Sequence, residues 1–137
     1  MLRGLTTVNL AADDLAAARA WYAELLGVEP YFEREIGGVP AYIEFRIGDY
    51  QHELGIIDRR FAPGESGPGA QVTYWAVDDV DVAYGRLLKM GATAHRKPTP
   101  YGPGFVAASV VDPFGNLLGV MYNQHYFDVL QTVGHAQ

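Results

Sequence analysis

Asp112-Pro113-Phe114-Gly115-Asn116-Leu117-Leu118-Gly119-Val120 reads as a tight turn released straight into an apolar strand. Asp112, Pro113 and Gly115 stand at the first, second and fourth places of a type I turn, where the Asp side chain accepts from the backbone and the proline ring presets φ. A strand over residues 117–122 follows from it. Upstream, residues 93–97 and 105–111 are strand-like. Before them Asp78 and Asp79 cap a helix with Val80, Ala83, Tyr84, Leu87 and Met90 on one face, which Gly91 ends. A strand over residues 71–77 opens the unit, so the order is strand, helix, three strands.

The first half of the chain repeats that order. Residues 5–10 alternate, with Val8 and Leu10 on one face and Thr7 and Asn9 on the other. Asp13 and Asp14 open a helix in which Leu15, Ala18, Tyr22, Leu25 and Leu26 recur at helical spacing until Gly27. Strands are expected over residues 28–34, 39–47 and 51–57. A shift of 65 residues lays Asp14-Leu15 on Asp79-Val80 and Ala18 on Ala83, which is the mark of a duplicated module. The expected organisation is one domain: module 1 over about residues 5–60, a Gly/Pro-rich connector over about 61–69, module 2 over about 70–124, and a tail over 125–137.

Composition narrows the function classes. Ten Lys and Arg against sixteen Asp and Glu give a net charge of −6 with no basic run, so the field repels nucleic acid and anionic membrane, and neither is an expected partner. The absence of cysteine removes disulfides, thiolate metal sites and a Cys nucleophile, and suits a reducing compartment. No apolar run is long enough for a signal peptide or a membrane span, so a cytoplasmic protein is expected.

The doubled βαβββ order, the segments Trp21-Tyr22-Ala23-Glu24-Leu25-Leu26-Gly27 and Val77-Asp78-Asp79-Val80, and the Asp112 turn together resemble the vicinal-oxygen-chelate superfamily, which holds glyoxalase I, bleomycin-resistance proteins and extradiol dioxygenases. The resemblance spans residues 5–123. It implies an α+β fold in which two tandem βαβββ modules form a cup-shaped curled sheet around a small-molecule cavity, with helices outside, and commonly a homodimer. It also implies four metal-ligand positions, which fall on Thr7, Glu53, Val72 and Gly119; Glu53 and Gly119 are related by a shift of 66. Only Glu53 carries a family-type ligand. If the strand register slipped by one, His52 would replace it. One carboxylate is too few for a selective Zn, Fe or Mn site, so no metal or other cofactor is expected.

Strand alternation turns Thr7, Asn9, Tyr42, Glu44, Arg46, Gln51, Glu53, Val72, Tyr74, Gly119 and Met121 toward the cup. Val8, Leu10, Ile43, Phe45, Ile47, Leu54, Ile56, Trp75, Val77, Leu118 and Val120 fall on the helix-facing side. The candidate ligand-binding set is Thr7, Asn9, Tyr42, Arg46, Glu53, Tyr74, Tyr101 and Met121. Glu44, Arg46 and Glu53 either serve a ligand or pair with one another, since buried charges need partners. Residues 98–104 form either a flap bearing Tyr101 or a rigid turn. The aromatic tail, with Tyr126, Phe127, Val129 and Leu130, covers an edge, a partner subunit or its own domain. No histidine sits in a recognisable nucleophile–base motif. Two functions follow: a metal-independent module binding or sequestering a small aromatic or amphipathic compound, or a lyase- or dioxygenase-type enzyme with a non-standard site using Glu53 as base.

Overall fold

A computed structural model describes residues 1–3, 5–62 and 72–135, the last two without their side chains. The backbone divides into two units, Met1–Ser66 and Gly67–Gln137. Each holds one four-stranded mixed sheet and a helix between its first two strands. A third helix closes the second unit. This is the two-module α+β fold. Among the described residues no helix is long and apolar enough to cross a membrane.

In the first unit the elements run β1 (Thr7–Ala12), α1 (Leu15–Leu26), β2 (Phe32–Ile36), β3 (Val39–Ile47) and β4 (His52–Asp58), with spatial order β1-β4-β3-β2. The first and last strands pair in parallel, and the other pairs are antiparallel. The Asp14 side chain accepts from Ala17 N at 3.0 Å, capping α1. Gly27 ends the helix at φ 72°, a left-handed conformation that costs glycine little. Leu15, Ala18 and Tyr22 are buried on one stripe of α1, and Ala41, Ile43, Phe45, Leu54 and Ile56 are buried on the sheet. The alternation in β3 comes out as expected: Ile43 and Phe45 are buried, Tyr42 and Glu44 half-buried, Arg46 exposed.

The second unit runs β5 (Thr73–Ala76), α2 (Val80–Lys89), β6 (Thr93–Gly102), β7 (Phe105–Val111), β8 (Leu117–Asn123) and α3 (Gln124–His135), with spatial order β5-β8-β7-β6. Asp79 caps α2 through a bond from Val82 N at 3.1 Å, and Gly91 follows the helix at φ 99°. The Asp112 carboxylate, 3% exposed, accepts from Phe114 N at 2.9 Å and Asn116 N at 2.8 Å, while Gly115 N donates to Asp112 O at 3.2 Å. One buried carboxylate thus holds the whole turn and aims Leu118 and Val120 into the core.

Four details depart from the sequence reading. Strand β2 begins at Phe32 rather than at residue 28, because the chain after the Gly27 cap runs through exposed irregular backbone as far as Tyr31. Residues 98–102 continue β6, and Pro103-Gly104 alone make the hairpin turn between Gly102 and Phe105, so no flap forms. The tail is a full helix from Gln124, with the Tyr122 and Phe127 rings 5.6 Å apart. The fourth concerns the repeat. Asn9 and Tyr74 each stand five residues before their helix cap; Asn9 pairs with Gly55, and Tyr74 pairs with Gly119. The counterpart of Gly119 is therefore Gly55, and that of Glu53 is Leu117; the shift of 66 is two residues out, one full strand period. The connector lies outside the described residues from position 63 onward.

Candidate functional site

The open face of the first sheet carries a continuous polar and aromatic network. Thr7 on β1 faces Glu53 on β4 across the parallel ladder, and its hydroxyl donates to Glu53 Oε1 at 2.7 Å. Glu53 in turn lies opposite Arg46 on β3. On the next row Asn9 faces Gly55, which faces Glu44. The Tyr42 hydroxyl donates to Glu44 Oε1 at 2.5 Å and lies 3.2 Å from the Asn9 side-chain amide. A phenol has one proton, so the Tyr42 hydroxyl serves Glu44 at the shorter contact, with Asn9 Oδ1 as the alternative acceptor.

Gly55 is what lets these groups meet. Its backbone is not in the left-handed region; the demand is steric. A Cβ there would collide with Tyr42 Oη and Asn9 Oδ1 and stand 2.6 Å from Tyr42 Cζ. Glycine opens the sheet floor so that the Tyr42 ring lies across β4 toward β1.

Tyr31, absent from the sequence-derived set, completes the cluster. Its backbone N–H donates to Glu44 O at 3.0 Å, and its hydroxyl donates to Glu44 Oε2 and lies 3.5 Å from Glu53 Oε2. The Arg46 guanidinium stacks 4.2 Å above the Tyr31 ring. Among the described residues no ion pair joins Arg46 to Glu44 or Glu53, so the ion-pair alternative gives way to tyrosine hydroxyls as the partners of Glu44 and a threonine hydroxyl as that of Glu53. Burial raises the Glu44 pKa above its ordinary value, the negative charge of Glu53 adds to this, and Arg46 opposes it. The Tyr42 hydroxyl is pushed upward by burial and then by Glu53, with Arg34 opposing, which keeps it a proton donor.

Beside this network a cavity of about 350 Å³ opens in the same unit, lined by Phe32, Arg34, Tyr42, Glu44, Ile57 and Phe61 among others. The Phe32 and Tyr42 rings meet edge to face at 6.3 Å. The sequence reading missed Phe32 and Arg34 because it placed residues 28–34 on a strand without assigning that strand's faces, and it missed Phe61 because this residue belongs to a short 3-10 turn, Arg59–Phe61. Strict alternation applied to β2 from Phe32 would have found Phe32, Arg34 and Ile36 together on one face.

In the second unit, Tyr74 is 44% exposed and its ring lies over Gly119, where a Cβ would fall 2.7 Å from Tyr74 Cε1. Tyr101 accepts from Arg96 Nη1 at 3.3 Å, and this bond, followed by the attraction of the tyrosine, raises the Arg96 pKa. Met121 accepts a weak bond from Asn123 at 3.5 Å. His95 has a partner that no sequence motif signalled: its Nδ1 lies 2.8 Å from Ser109 Oγ. Ser109 is 3% exposed, which keeps that oxygen from a substrate.

The residues at the superfamily's metal positions do not fit a metal. Val72 and Gly119 offer no donor atom, and whether Glu53 or its neighbour Gly55 takes the remaining β4 place, at most one carboxylate and the Thr7 hydroxyl are left, already bonded to each other. Among the described residues no three His, Asp or Glu side chains gather as a ligand group.

No curated protein matches the sequence. Solved structures do match the fold: a glyoxalase-related enzyme from Fulvimarina pelagi (TM-score 0.69, 22% identity, covering 89% of this chain and 89% of that one); a lactoylglutathione lyase from Agrobacterium tumefaciens (0.62, 22%, 86% and 92%); and a superfamily member from Sphaerobacter thermophilus (0.69, 20%, 88% and 97%). The family model matches residues 4–120. With two βαβββ modules and a family match over nearly its whole length, the chain belongs to the Glyoxalase/Bleomycin resistance protein/Dioxygenase superfamily.

Proposed function

We propose that the protein binds a small aromatic or amphipathic organic molecule on the open face of its first module, and holds it without transforming it. The observation that carries this reading is the placement of Glu44 and Tyr42 on the wall of a 350 Å³ cavity whose other walls are largely aromatic and aliphatic. That volume suits a small organic ligand, and an apolar wall with a few fixed polar groups is the usual make-up of such sites. Thr7, Asn9, Arg46 and Glu53 act in this reading as supports: they bond or stack on the tyrosines and carboxylates and so fix the wall. Tyr74, Tyr101 and Met121 provide an aromatic and thioether surface on the second module's own sheet.

A second reading, general-base catalysis, is favoured by the raised pKa of Glu44. It falls on Glu44 rather than on Glu53, because Glu44 lines the cavity.

Screening an aromatic and amphipathic library by thermal shift tests the proposal. At about a hundredfold above its dissociation constant a ligand adds roughly 2.7 kcal/mol. Tyr42→Ala and Arg46→Ala should each diminish the shift, whereas Tyr126→Ala in α3 should not. The binding reading fails if no compound shifts the melting temperature or if hits ignore both substitutions. Mass spectrometry of the recovered ligand separates the two readings, since conversion abolished by Glu44→Gln would favour the catalytic one.

A further inference from the structure

Arg34 and Glu44 carry opposite charges on neighbouring strands, yet they do not pair. The register sets Phe32 opposite Glu44 and Arg34 opposite Tyr42, so Arg34 and Glu44 are diagonal neighbours on one face. At such a diagonal, long side chains are within reach of each other. Among the described residues no ion pair joins them. Glu44 is turned toward the Tyr31 and Tyr42 hydroxyls, and the exposed Arg34 guanidinium lies 5.7 Å from the centre of the Phe32 ring. Both side chains line the cavity.

The cavity therefore presents an acceptor held by two tyrosine hydroxyls and, diagonal to it, a guanidinium against the Phe32 ring, along a wall of Phe32, Tyr42 and Ile57. Each Glu44 oxygen already accepts one hydroxyl and retains a further lone pair. Arg34 has five N–H donors and, among the described residues, stacks on Phe32 with no hydrogen-bond acceptor for them.

We infer that the ligand of this cavity is a planar aromatic compound bearing a hydrogen-bond donor and an acceptor on one edge, an aryl amide or lactam being the simplest class, with its N–H on Glu44 and its carbonyl on Arg34. This rests on the binding reading above and narrows it. An acceptor-only compound leaves Glu44 facing another lone pair, and a donor-only compound leaves Arg34 without a partner. An apolar compound displaces water from both and returns nothing. The aromatic body lies against Phe32 and Tyr42, whose rings meet edge to face.

Four bicyclic probes test it: 2-naphthamide with both groups, the isosteric 2-acetylnaphthalene with the acceptor, and the smaller indole with the donor and naphthalene with neither. Dissociation constants come from NMR titration of the whole chain. The expected result is 2-naphthamide binding about tenfold or more tighter than each of the other three, as one extra charge-assisted hydrogen bond implies. Arg34→Met keeps the aliphatic stem on Phe32 but removes the donors, so it should weaken 2-naphthamide by about tenfold while leaving indole unchanged. Arg34 is exposed, so the variant should fold; its melting curve confirms that. Equal binding of all four probes, or a preference untouched by Arg34→Met, overturns the inference while leaving a general apolar binding site in place. Failure of every probe to bind overturns the binding reading itself.

Discussion

Gly55→Ala isolates the packing on which the open face of the first module depends. The added Cβ would stand 2.6 Å from Tyr42 Cζ and closer still to Tyr42 Oη and Asn9 Oδ1. Tyr42 is tied to Glu44, with Asn9 as alternative acceptor, so it cannot turn away without losing its hydrogen bond at 2.5 Å and the 3.2 Å contact. Overpacking of this kind costs about 1–3 kcal/mol. Loss of one hydrogen bond adds about 0.5–1.5 kcal/mol. Against these, alanine restricts the unfolded chain and returns about 0.4–1 kcal/mol. The net expectation is a destabilisation of about 2 kcal/mol, read by urea unfolding followed by circular dichroism, with a fall in melting temperature of roughly 5–10 °C for a chain of this size. The same substitution in a Tyr42→Ala background should cost at least about 1 kcal/mol less, because the exposed Asn9 side chain is then free to swing aside. A Gly55→Ala protein as stable as the parent, or an identical cost in both backgrounds, would refute the argument that Gly55 exists to seat Tyr42.

Asp112→Ala removes the acceptor of bonds from Phe114 N, Asn116 N and Asn116 Nδ2, and should cost about 3–5 kcal/mol by chemical denaturation; a loss under about 1 kcal/mol would show that the turn holds itself. Asp58 is buried, and hydrogen bonds from Arg60 hold its carboxyl below the ordinary 3.8. Since its folded pKa is depressed, the stabilisation is present above that value and is lost as pH falls through the folded pKa, so the stability gap between the parent and Arg60→Met should shrink on acidification below about pH 4. Glu44 has the opposite sign: its raised pKa gives a contribution that is full below 4.5 and lost as pH rises, so Glu44→Gln should stabilise the protein at pH 7 and give no advantage at low pH. For assembly, light scattering at low micromolar concentration should return twice the 15.0 kDa chain mass, and a single-chain mass would count against the homodimer.

The elements and their order were legible in the residues because they depend on local rules. Asp14 and Asp79 cap helices, Gly27 stops one, Asp112-Pro113 turns the chain, and the period-two alternation of residues 41–47 already separates Ile43 and Phe45 from Tyr42 and Glu44. The duplication was legible too, since it survives as spacing between caps. What the sequence could not decide was pairing. Whether Glu53 or Gly55 answers Gly119 depends on how β1 lies on β4 and β5 on β8, and a parallel ladder leaves no short-range mark of its register. The partner of Glu44 could not be read either: Arg46 is two residues away in sequence, but the contacts that form are with Tyr31 and Tyr42, because a hydroxyl reaches a half-buried carboxylate at lower desolvation cost than a guanidinium. Only the folded sheet brings Arg34, Tyr42 and Glu44 to one cavity wall, since that meeting is set by the hairpin register of β2 on β3 and by a glycine whose role is to leave room.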